Sequence, residues 1–249
     1  MIESDVIKRL AKIQKLTPYQ QEKHYLQTAT LSGIYNEITD ELVFKGGTAL
    51  FFFYGLDRFS EDLDFTQQEH IHVQKLKDAI SNRFDLLSIA HEIKKEPSIT
   101  GDVLKVKANG PLYKGLRSES IVRIDISQRN DMVLKPDIME IIPLYNDLRP
   151  FSIPVMKKEE ILAEKTRALL TRARARDLYD IAFLLKKDVQ WNEDLVNKKL
   201  TYYKKRYERE EFKKNVLAIK NIWNAELHGL VNQLPQFDDI LKIVLTTIP

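Results

Sequence analysis

The sequence predicts an α+β fold with two lobes: an N-terminal lobe with a mixed β-sheet and flanking helices, and an α-helical C-terminal lobe. Between residues 86 and 155, segments that alternate apolar and polar residues are separated by turn-forming residues, which is typical of the strands of one sheet. After Lys157 the apolar residues have helical spacing to the end of the chain. This change predicts two domains, residues 1–155 and residues 156–249.

Each element follows from a local pattern. An apolar spacing of three or four residues predicts a helix, and alternation or a short apolar run predicts a strand. Thr17 and Pro18 begin the second helix with a capping hydroxyl and a proline, and Gly55 ends the third. The predicted helices are 5–14, 18–38, 48–54, 73–84, 157–171, 174–186, 192–206, 208–226 and 235–247. The predicted strands are 41–45, 62–66, 86–93, 103–108, 121–127, 138–143 and 151–156.

Composition excludes several classes of protein. The chain has 249 residues and no cysteine, which excludes a disulfide framework, a thiolate zinc site and a cysteine nucleophile. The N-terminus lacks the basic and then apolar pattern of a signal peptide. No apolar run approaches the roughly 20 residues that cross a bilayer, so no membrane partner is expected. These features favour a cytoplasmic location.

The net charge of +3 does not by itself require a nucleic-acid partner. Basic residues nevertheless cluster in predicted helices, at Arg167, Arg172, Arg174 and Arg176, and at Lys198, Lys199, Lys204, Lys205 and Arg206. Such clusters can bind a phosphate backbone or can form solvated helix faces. For the second cluster a solvated face is favoured, because Glu208, Glu210 and Glu211 follow at once.

A glycine pair followed by two aspartates is the strongest functional signal in the chain. Gly46 and Gly47 follow the predicted strand 41–45, where glycines let backbone N–H groups approach a phosphate closely. Asp62 and Asp64 are two residues apart in the next predicted strand, so they project from the same side. Adjacent carboxylates suit a hard divalent cation such as Mg²⁺. A phosphate cradle beside this pair predicts metal-assisted phosphoryl or nucleotidyl transfer.

Two further residues near these motifs are weaker candidates. Lys45 precedes the glycines and either contacts phosphate or is an ordinary strand-end lysine. Asp125 lies in an otherwise apolar strand, where an unpaired charge is costly. It is predicted as a third metal ligand, with pairing to Arg123 or Arg129 as the alternative.

The helical half carries a second group of candidates. Asp177 and Asp180 are three residues apart on one helix face, and Lys165 lies among apolar residues of the preceding helix. A cation here could bind the triphosphate of a nucleotide, and Arg176 is a further candidate. The alternative is a salt-bridge network around the turn between the two helices, and it is favoured for Arg174, Arg176 and Asp177.

With these residues in place, the chain resembles the AbiEii/AbiGii family of nucleotidyltransferase toxins. That family includes the MenT-type toxins and belongs to the DNA polymerase β-like nucleotidyltransferase superfamily. The resemblance spans roughly residues 25–185 and rests on the order of several blocks. These blocks are Lys45-Gly46-Gly47-Thr48-Ala49-Leu50, Tyr54-Gly55-Leu56, Arg58-Phe59-Ser60-Glu61-Asp62-Leu63-Asp64-Phe65, Lys165, and Arg174-Ala175-Arg176-Asp177-Leu178-Tyr179-Asp180.

The resemblance implies a bilobed nucleotidyltransferase fold and an enzyme that moves a nucleoside monophosphate from an NTP to an acceptor. It implies that the NTP phosphates are held by Gly46, Gly47 and Thr48. It also implies that Asp62 and Asp64 bind Mg²⁺ or Mn²⁺. Ser60 lies beside that metal and is expected to contact phosphate.

In the helical lobe, Lys165 matches the family's lysine, and Asp177 and Asp180 match its Arg-Asp-x-x-Asp element. Members vary at the third carboxylate, which Asp125 would supply here. Members typically act as toxins beside a cognate antitoxin in abortive infection, and known acceptors include tRNA 3′ ends. The resemblance therefore predicts an NTP, a tRNA or other RNA acceptor, and an antitoxin as partners.

The predicted mechanism is in-line attack of an acceptor hydroxyl on the α-phosphate of the NTP, with Mg²⁺ assistance and with Asp125 or water taking the proton. Three other functions stay open on the same residues. The chain could modify a protein or a small molecule, or it could bind nucleotide without transfer. It could also be a nucleic-acid-binding regulator that uses its basic helices.

Overall fold

This computed structural model describes residues 1–98 and 101–249, and the described chain divides into two compact units. Unit 1 consists of residues 1–53, 59–130 and 136–155. Unit 2 consists of residues 54–58, 131–135 and 156–249. The domains predicted from the sequence, residues 1–155 and 156–249, stay a prediction, and they differ from these units in the placement of the two short segments 54–58 and 131–135.

The strands of unit 1 form one seven-stranded mixed sheet, which confirms the predicted fold class. The strands are β1 (Leu42–Lys45), β2 (Leu63–Gln67), β3 (His91–Glu96), β4 (Gly101–Ala108), β5 (Ser120–Ser127), β6 (Asp137–Ile141) and β7 (Phe151–Val155). Their order across the sheet is β3-β4-β5-β2-β1-β7-β6. Two pairs, β2 with β5 and β1 with β7, are parallel, and the other four are antiparallel. This order places β1 and β2 inside the sheet, so each of them has a strand on both sides and no open edge.

Four helices accompany the sheet in the described part of unit 1: α1 (Ser4–Gln14), α2 (Pro18–Glu37), α3 (Gly46–Tyr54) and α4 (Val73–Leu86). Helix α2 is buried along most of its length and packs against α4, β5 and β7. It begins with the cap expected from the sequence, because the Thr17 hydroxyl accepts a hydrogen bond from the Gln20 backbone N–H (3.2 Å). The Gln20 side chain accepts in return from the Thr17 N–H (2.9 Å).

The predicted strand 86–93 begins too early. Leu86 is the last residue of α4, and β3 begins only at His91. The intervening residues close the helix, since the Ile89 N–H donates to the Phe84 carbonyl oxygen (2.8 Å). Residues 86–89, which are apolar except for Ser88, thus belong to a helix end and not to an alternating strand.

The described part of unit 2 is helical: α5 (Lys158–Arg172), α6 (Ala175–Lys186), α7 (Glu193–Thr201), α8 (Arg209–Ala218), α9 (Trp223–Leu227) and α10 (Phe237–Thr247). The predicted helix 192–206 is too long, because α7 ends at Thr201 and Lys204 has a left-handed backbone (φ 53°). The predicted helix 208–226 is broken by a short 3₁₀ turn at 219–221. Among the described residues, no helix has the length and apolarity needed to cross a membrane.

A buried lysine explains why residues 131–135 belong to unit 2. Lys199 is fully buried, and its Nζ lies 2.6 Å from a Glu160 carboxylate oxygen and 2.6 Å from the Asp131 carbonyl oxygen. The Glu160 carboxylate also accepts hydrogen bonds from two backbone N–H groups of the same short segment, at 2.7 and 2.8 Å. The segment is therefore tied to α5 and α7 by buried, charge-assisted hydrogen bonds.

Candidate active site

The glycine turn and the acidic pair meet in unit 1. Gly46 follows β1 directly and begins α3 with φ +75°, a left-handed value that favours glycine. A Cβ at Gly46 would lie only 2.3 Å from Asp64 Oδ2. The missing side chain is thus what lets the Asp64 carboxylate approach the turn. The sequence predicted that these two motifs converge, and the structure brings them together.

Asp64 also lies in a row of charged residues across the three strands β1, β2 and β5. Its directly opposite partners are Lys45 on β1 and Asp125 on β5. Residues directly opposite each other on neighbouring strands project from the same face of a sheet. One face therefore presents Lys45, Asp64 and Asp125 side by side. Asp62 lies two residues before Asp64, immediately before β2 begins.

The segment that leads to Asp62 is held by buried side chains. The Thr48 hydroxyl is 2.8 Å from the Ser60 hydroxyl and donates a hydrogen bond to the Asp62 carbonyl oxygen. Gln27 on α2 is fully buried, and its Nε2 donates to the carbonyl oxygens of Ser60 (3.0 Å) and Glu61 (2.9 Å). Thr48 and Ser60 thus brace the acidic segment, and their contact with phosphate stays a prediction.

Asp125 does not sit in the apolar environment that the sequence suggested. Its neighbours on β5 alternate between buried and half-buried, and the Asp125 side chain is 36% exposed. Both carboxylate oxygens accept hydrogen bonds from Arg123, at 3.0 Å from Nε and 3.3 Å from Nη2. The hydrogen bond with Asp125 raises the pKa of Arg123, which also contacts Glu96 at 2.7 Å. The predicted alternative, pairing with Arg123, is the one observed.

The donor chemistry of the acidic pair fits a divalent cation. Asp62 and Asp64 offer the carboxylate oxygens that Mg²⁺ prefers. However, across residues 1–98 and 101–249 no three His, Cys, Asp or Glu side chains form a group that could hold a metal ion. Asp125, whose carboxylate is engaged by Arg123, does not complete such a group here. The three-ligand site therefore stays a prediction.

Three of the candidates in unit 2, Lys165, Asp177 and Asp180, are buried and belong to one ion-pair network. Lys165 Nζ lies 2.7 Å from Asp180 Oδ2 and 3.1 Å from Asp177 Oδ1. Arg58 contacts the same Asp180 with two parallel hydrogen bonds of 2.7 and 2.6 Å. Arg172 contacts Asp177 with two more, at 2.8 and 3.0 Å. The shared helix face of the two aspartates is thus used to bind three cationic side chains.

The sequence model of a protein family matches residues 31–243, which is most of the chain. That family is described as the nucleotidyl transferase AbiEii toxin of type IV toxin–antitoxin systems. The chain belongs to the AbiEii family. It is accordingly a nucleotidyltransferase and a toxin of this type of system, which implies an NTP substrate and a cognate antitoxin.

Solved structures show the same fold as this AbiEii toxin. MenT4, a nucleotidyltransferase toxin from Mycobacterium tuberculosis H37Rv, matches with a TM-score of 0.68 and 18% identity, over 99% of this chain and 88% of that one. JHP933 from Helicobacter pylori matches with a TM-score of 0.62 and 23% identity, over 93% of this chain and 91% of that one. A search of curated proteins found no match.

In the unit 2 network of this AbiEii toxin, burial disfavours the charged forms of the side chains, but the ion pairs favour these forms more strongly. Burial alone would raise the pKa of Asp180, yet Arg58 and Lys165 hold it below its usual value. Burial would also raise the pKa of Asp177, which Lys165 and Arg172 lower. Burial would lower the pKa of Lys165, but Asp180 and Asp177 raise it. These shifts all favour the ionised forms of Asp177, Asp180 and Lys165.

Some residues that hold the acidic segment or the ion-pair network of the AbiEii toxin were not predicted from the sequence, and the roles of others were left undecided. Arg58 entered the prediction as part of a family motif, and the structure shows that it binds Asp180. Gln27 gave no signal, because a glutamine in a helix is usually a surface residue. Arg176 is exposed on the first turn of α6, and its contact with an NTP stays a prediction, as does that of Lys165.

Replacing Gly46 by alanine is expected to reduce nucleotide transfer by at least about 10²-fold, because the added methyl group must displace the Asp64 carboxylate by about an ångström. The matched control is Gly55→Ala. Gly55 has the same left-handed backbone (φ +74°), but a Cβ there would meet nothing within 4 Å. It reports the backbone strain alone, about 1–2 kcal/mol. Equal activity losses in steady-state assays of the two variants would contradict the assigned role of Gly46.

Proposed function

We propose that this AbiEii toxin transfers a nucleoside monophosphate from an NTP to the 3′ end of a tRNA in the cytoplasm, with Mg²⁺ or Mn²⁺ as the metal. The observation that carries the proposal is the close approach of Asp64 to the glycine turn at Gly46. It supports one site that receives both the phosphates and the metal. The tRNA acceptor is supported by the family resemblance.

The phosphates would bind at the beginning of α3. Gly46, Gly47 and Thr48 form its first turn, where backbone N–H groups have no partner within the helix and the helix dipole favours anions. Lys45 lies directly before this turn, on the strand beside Asp64, and adds positive charge. Lys165 and Arg176 are kept as further proposed contacts of the NTP. Asp177 and Asp180 would hold Lys165 in its charged form.

In the reaction, an acceptor hydroxyl oxygen forms a bond to the α-phosphorus while the bond from that phosphorus to the bridging oxygen breaks. Pyrophosphate leaves with the electron pair of the broken bond. A cation bound by Asp62 and Asp64, with Asp125 as a third candidate ligand, would lower the pKa of the hydroxyl and stabilise the leaving group. Arg123 already occupies both oxygens of Asp125, so in our proposal the hydroxyl proton passes to water.

The test incubates the purified toxin with tRNA and each of the four NTPs, labelled at the α-phosphate, in Mg²⁺. The expected result is label on the tRNA 3′ end, release of pyrophosphate in equal amount, and loss of both when EDTA removes the metal. Label on protein or on a small molecule would overturn the tRNA acceptor. Nucleotide binding without release of pyrophosphate from the NTP, whichever acceptor is supplied, would overturn transfer itself.

A further inference from the structure

A basic concavity lies at the C-terminal end of α7, within unit 2. It has a volume of about 690 Å³, and we call it the α7 groove. Its lining includes Asp194, Asn197, Lys198, Lys204, Lys205 and Arg206. Four of these side chains are cationic and one is acidic. Such an imbalance in a concave surface favours a polyanionic partner.

The acids that follow this basic cluster in the sequence do not neutralise it. Lys205 contacts Glu211 at 2.7 Å. In the described chain, no carboxylate lies within ion-pair distance of Lys198, Lys204 or Arg206. The expectation of a solvated face balanced by the following glutamates therefore holds for Lys205 alone.

The backbone holds these cations in place. Helix α7 ends at Thr201, and the Leu200 carbonyl oxygen accepts hydrogen bonds from the N–H groups of Tyr203 (2.8 Å) and Lys205 (3.4 Å). This turn carries Lys204 in its left-handed conformation and returns the chain to the cavity that Lys198 lines. The charges thus project from a fixed turn and not from a long flexible loop.

An exposed tyrosine lies close to these cations in the sequence. Tyr202 precedes Lys204 by two residues and is 52% exposed. Its ring makes an edge contact with Tyr203, whose hydroxyl accepts a hydrogen bond from Arg167 (2.9 Å). Proteins bind single-stranded nucleic acid with exposed aromatic rings beside cations, since a base can stack on the ring while the cations neutralise the phosphates.

We propose that the α7 groove binds the phosphate backbone of the RNA acceptor. This inference rests on the proposed RNA acceptor and adds a surface of unit 2 to it. Like charges that line one concavity disfavour each other, and a phosphate backbone bound there would neutralise them and release counterions. These phosphate contacts would position the RNA and would not distinguish one base sequence from another.

The test compares two triple variants that remove the same charge. One carries Lys198→Gln, Lys204→Gln and Arg206→Gln in the groove. The other carries Lys186→Gln, Lys213→Gln and Lys214→Gln, which are exposed residues of α6 and α8 outside it. Binding of tRNA without NTP is measured by filter retention over a series of KCl concentrations, after melting curves confirm that both variants fold.

The groove variant is expected to bind tRNA at least about tenfold more weakly, with a salt dependence reduced by about two to three counterions, whereas the control changes less than about threefold. A third variant, Asp194→Asn, removes the acid of the groove and is expected to bind tRNA more tightly. Equal weakening in the two triple variants, or none in either, would overturn the groove. Failure of transfer with groove-dependent tRNA binding intact would instead overturn the proposed reaction.

Discussion

Replacing Asp64 by asparagine is expected to reduce nucleotide transfer by about 10³-fold or more, because the change removes the charge that we propose binds the metal but keeps the size of the side chain. Asp62→Asn is expected to act in the same way. The loss should appear in kcat, measured with saturating NTP that is labelled at the α-phosphate. The melting temperature should stay close to that of the parent protein, since Asp64 is half-buried and its neighbours keep their packing.

The control for these variants is Glu61→Gln, which removes one negative charge from the same segment. Glu61 is 38% exposed, and its carboxylate contacts the buried Lys23 at 3.4 Å, which is a long distance for an ion pair. Its substitution is expected to leave transfer within about threefold of the parent. Substantial transfer by Asp64→Asn protein, with pyrophosphate released at the parent rate, would show that this carboxylate does not serve the reaction.

Replacing Asp180 by asparagine is expected to destabilise unit 2 by about 3–5 kcal/mol. Asp180 is fully buried, and its carboxylate holds Arg58 with two hydrogen bonds and Lys165 with an ion pair. An amide cannot neutralise either cation, so two buried positive charges would lose their main partner. Removal of one member of a buried ion network costs far more than loss of a surface pair.

Tryptophan fluorescence during urea unfolding measures this effect selectively, because Trp191 and Trp223 both lie in unit 2 and are the only two tryptophans. The matched control is Asp188→Asn, an exposed aspartate whose left-handed backbone asparagine also tolerates. A control shift below about 0.5 kcal/mol is expected. Unfolding midpoints that coincide for Asp180→Asn and the parent protein would show that the network contributes nothing to stability.

The same network predicts the direction of the pH dependence. The folded pKa values of Asp177 and Asp180 are lowered relative to the ordinary carboxyl value of 3.8. Their contribution is therefore complete above about pH 4 and is lost as the pH falls through the folded values. The difference in stability between the parent and Asp180→Asn should accordingly be constant near neutral pH and should shrink in acid.

Much of the fold was predictable because its strands and helices carry clear periodic patterns. β5 alternates buried and half-buried residues along its whole length, as its sequence suggests. The ends of elements were harder to predict, since the apolar residues Leu86, Leu87 and Ile89 are compatible both with the end of a helix and with the start of a strand. Asp125 shows a related limit: alternation places it on the face opposite its apolar neighbours, but only the fold shows that Arg123 is its partner.

The sequence by itself determined the order of the motifs and the α+β class, and it predicted that the glycine turn at Gly46 and the acidic pair lie close together. These properties depend on residue types and short spacings, which local geometry translates directly into structure. The tertiary structure alone decided that Arg58 pairs with Asp180, that Lys199 is buried, and that Lys198 has no acidic partner among the residues that the structure describes. Those outcomes depend on contacts between distant parts of the chain, and a charged residue has the same local pattern whether it faces solvent or a buried partner.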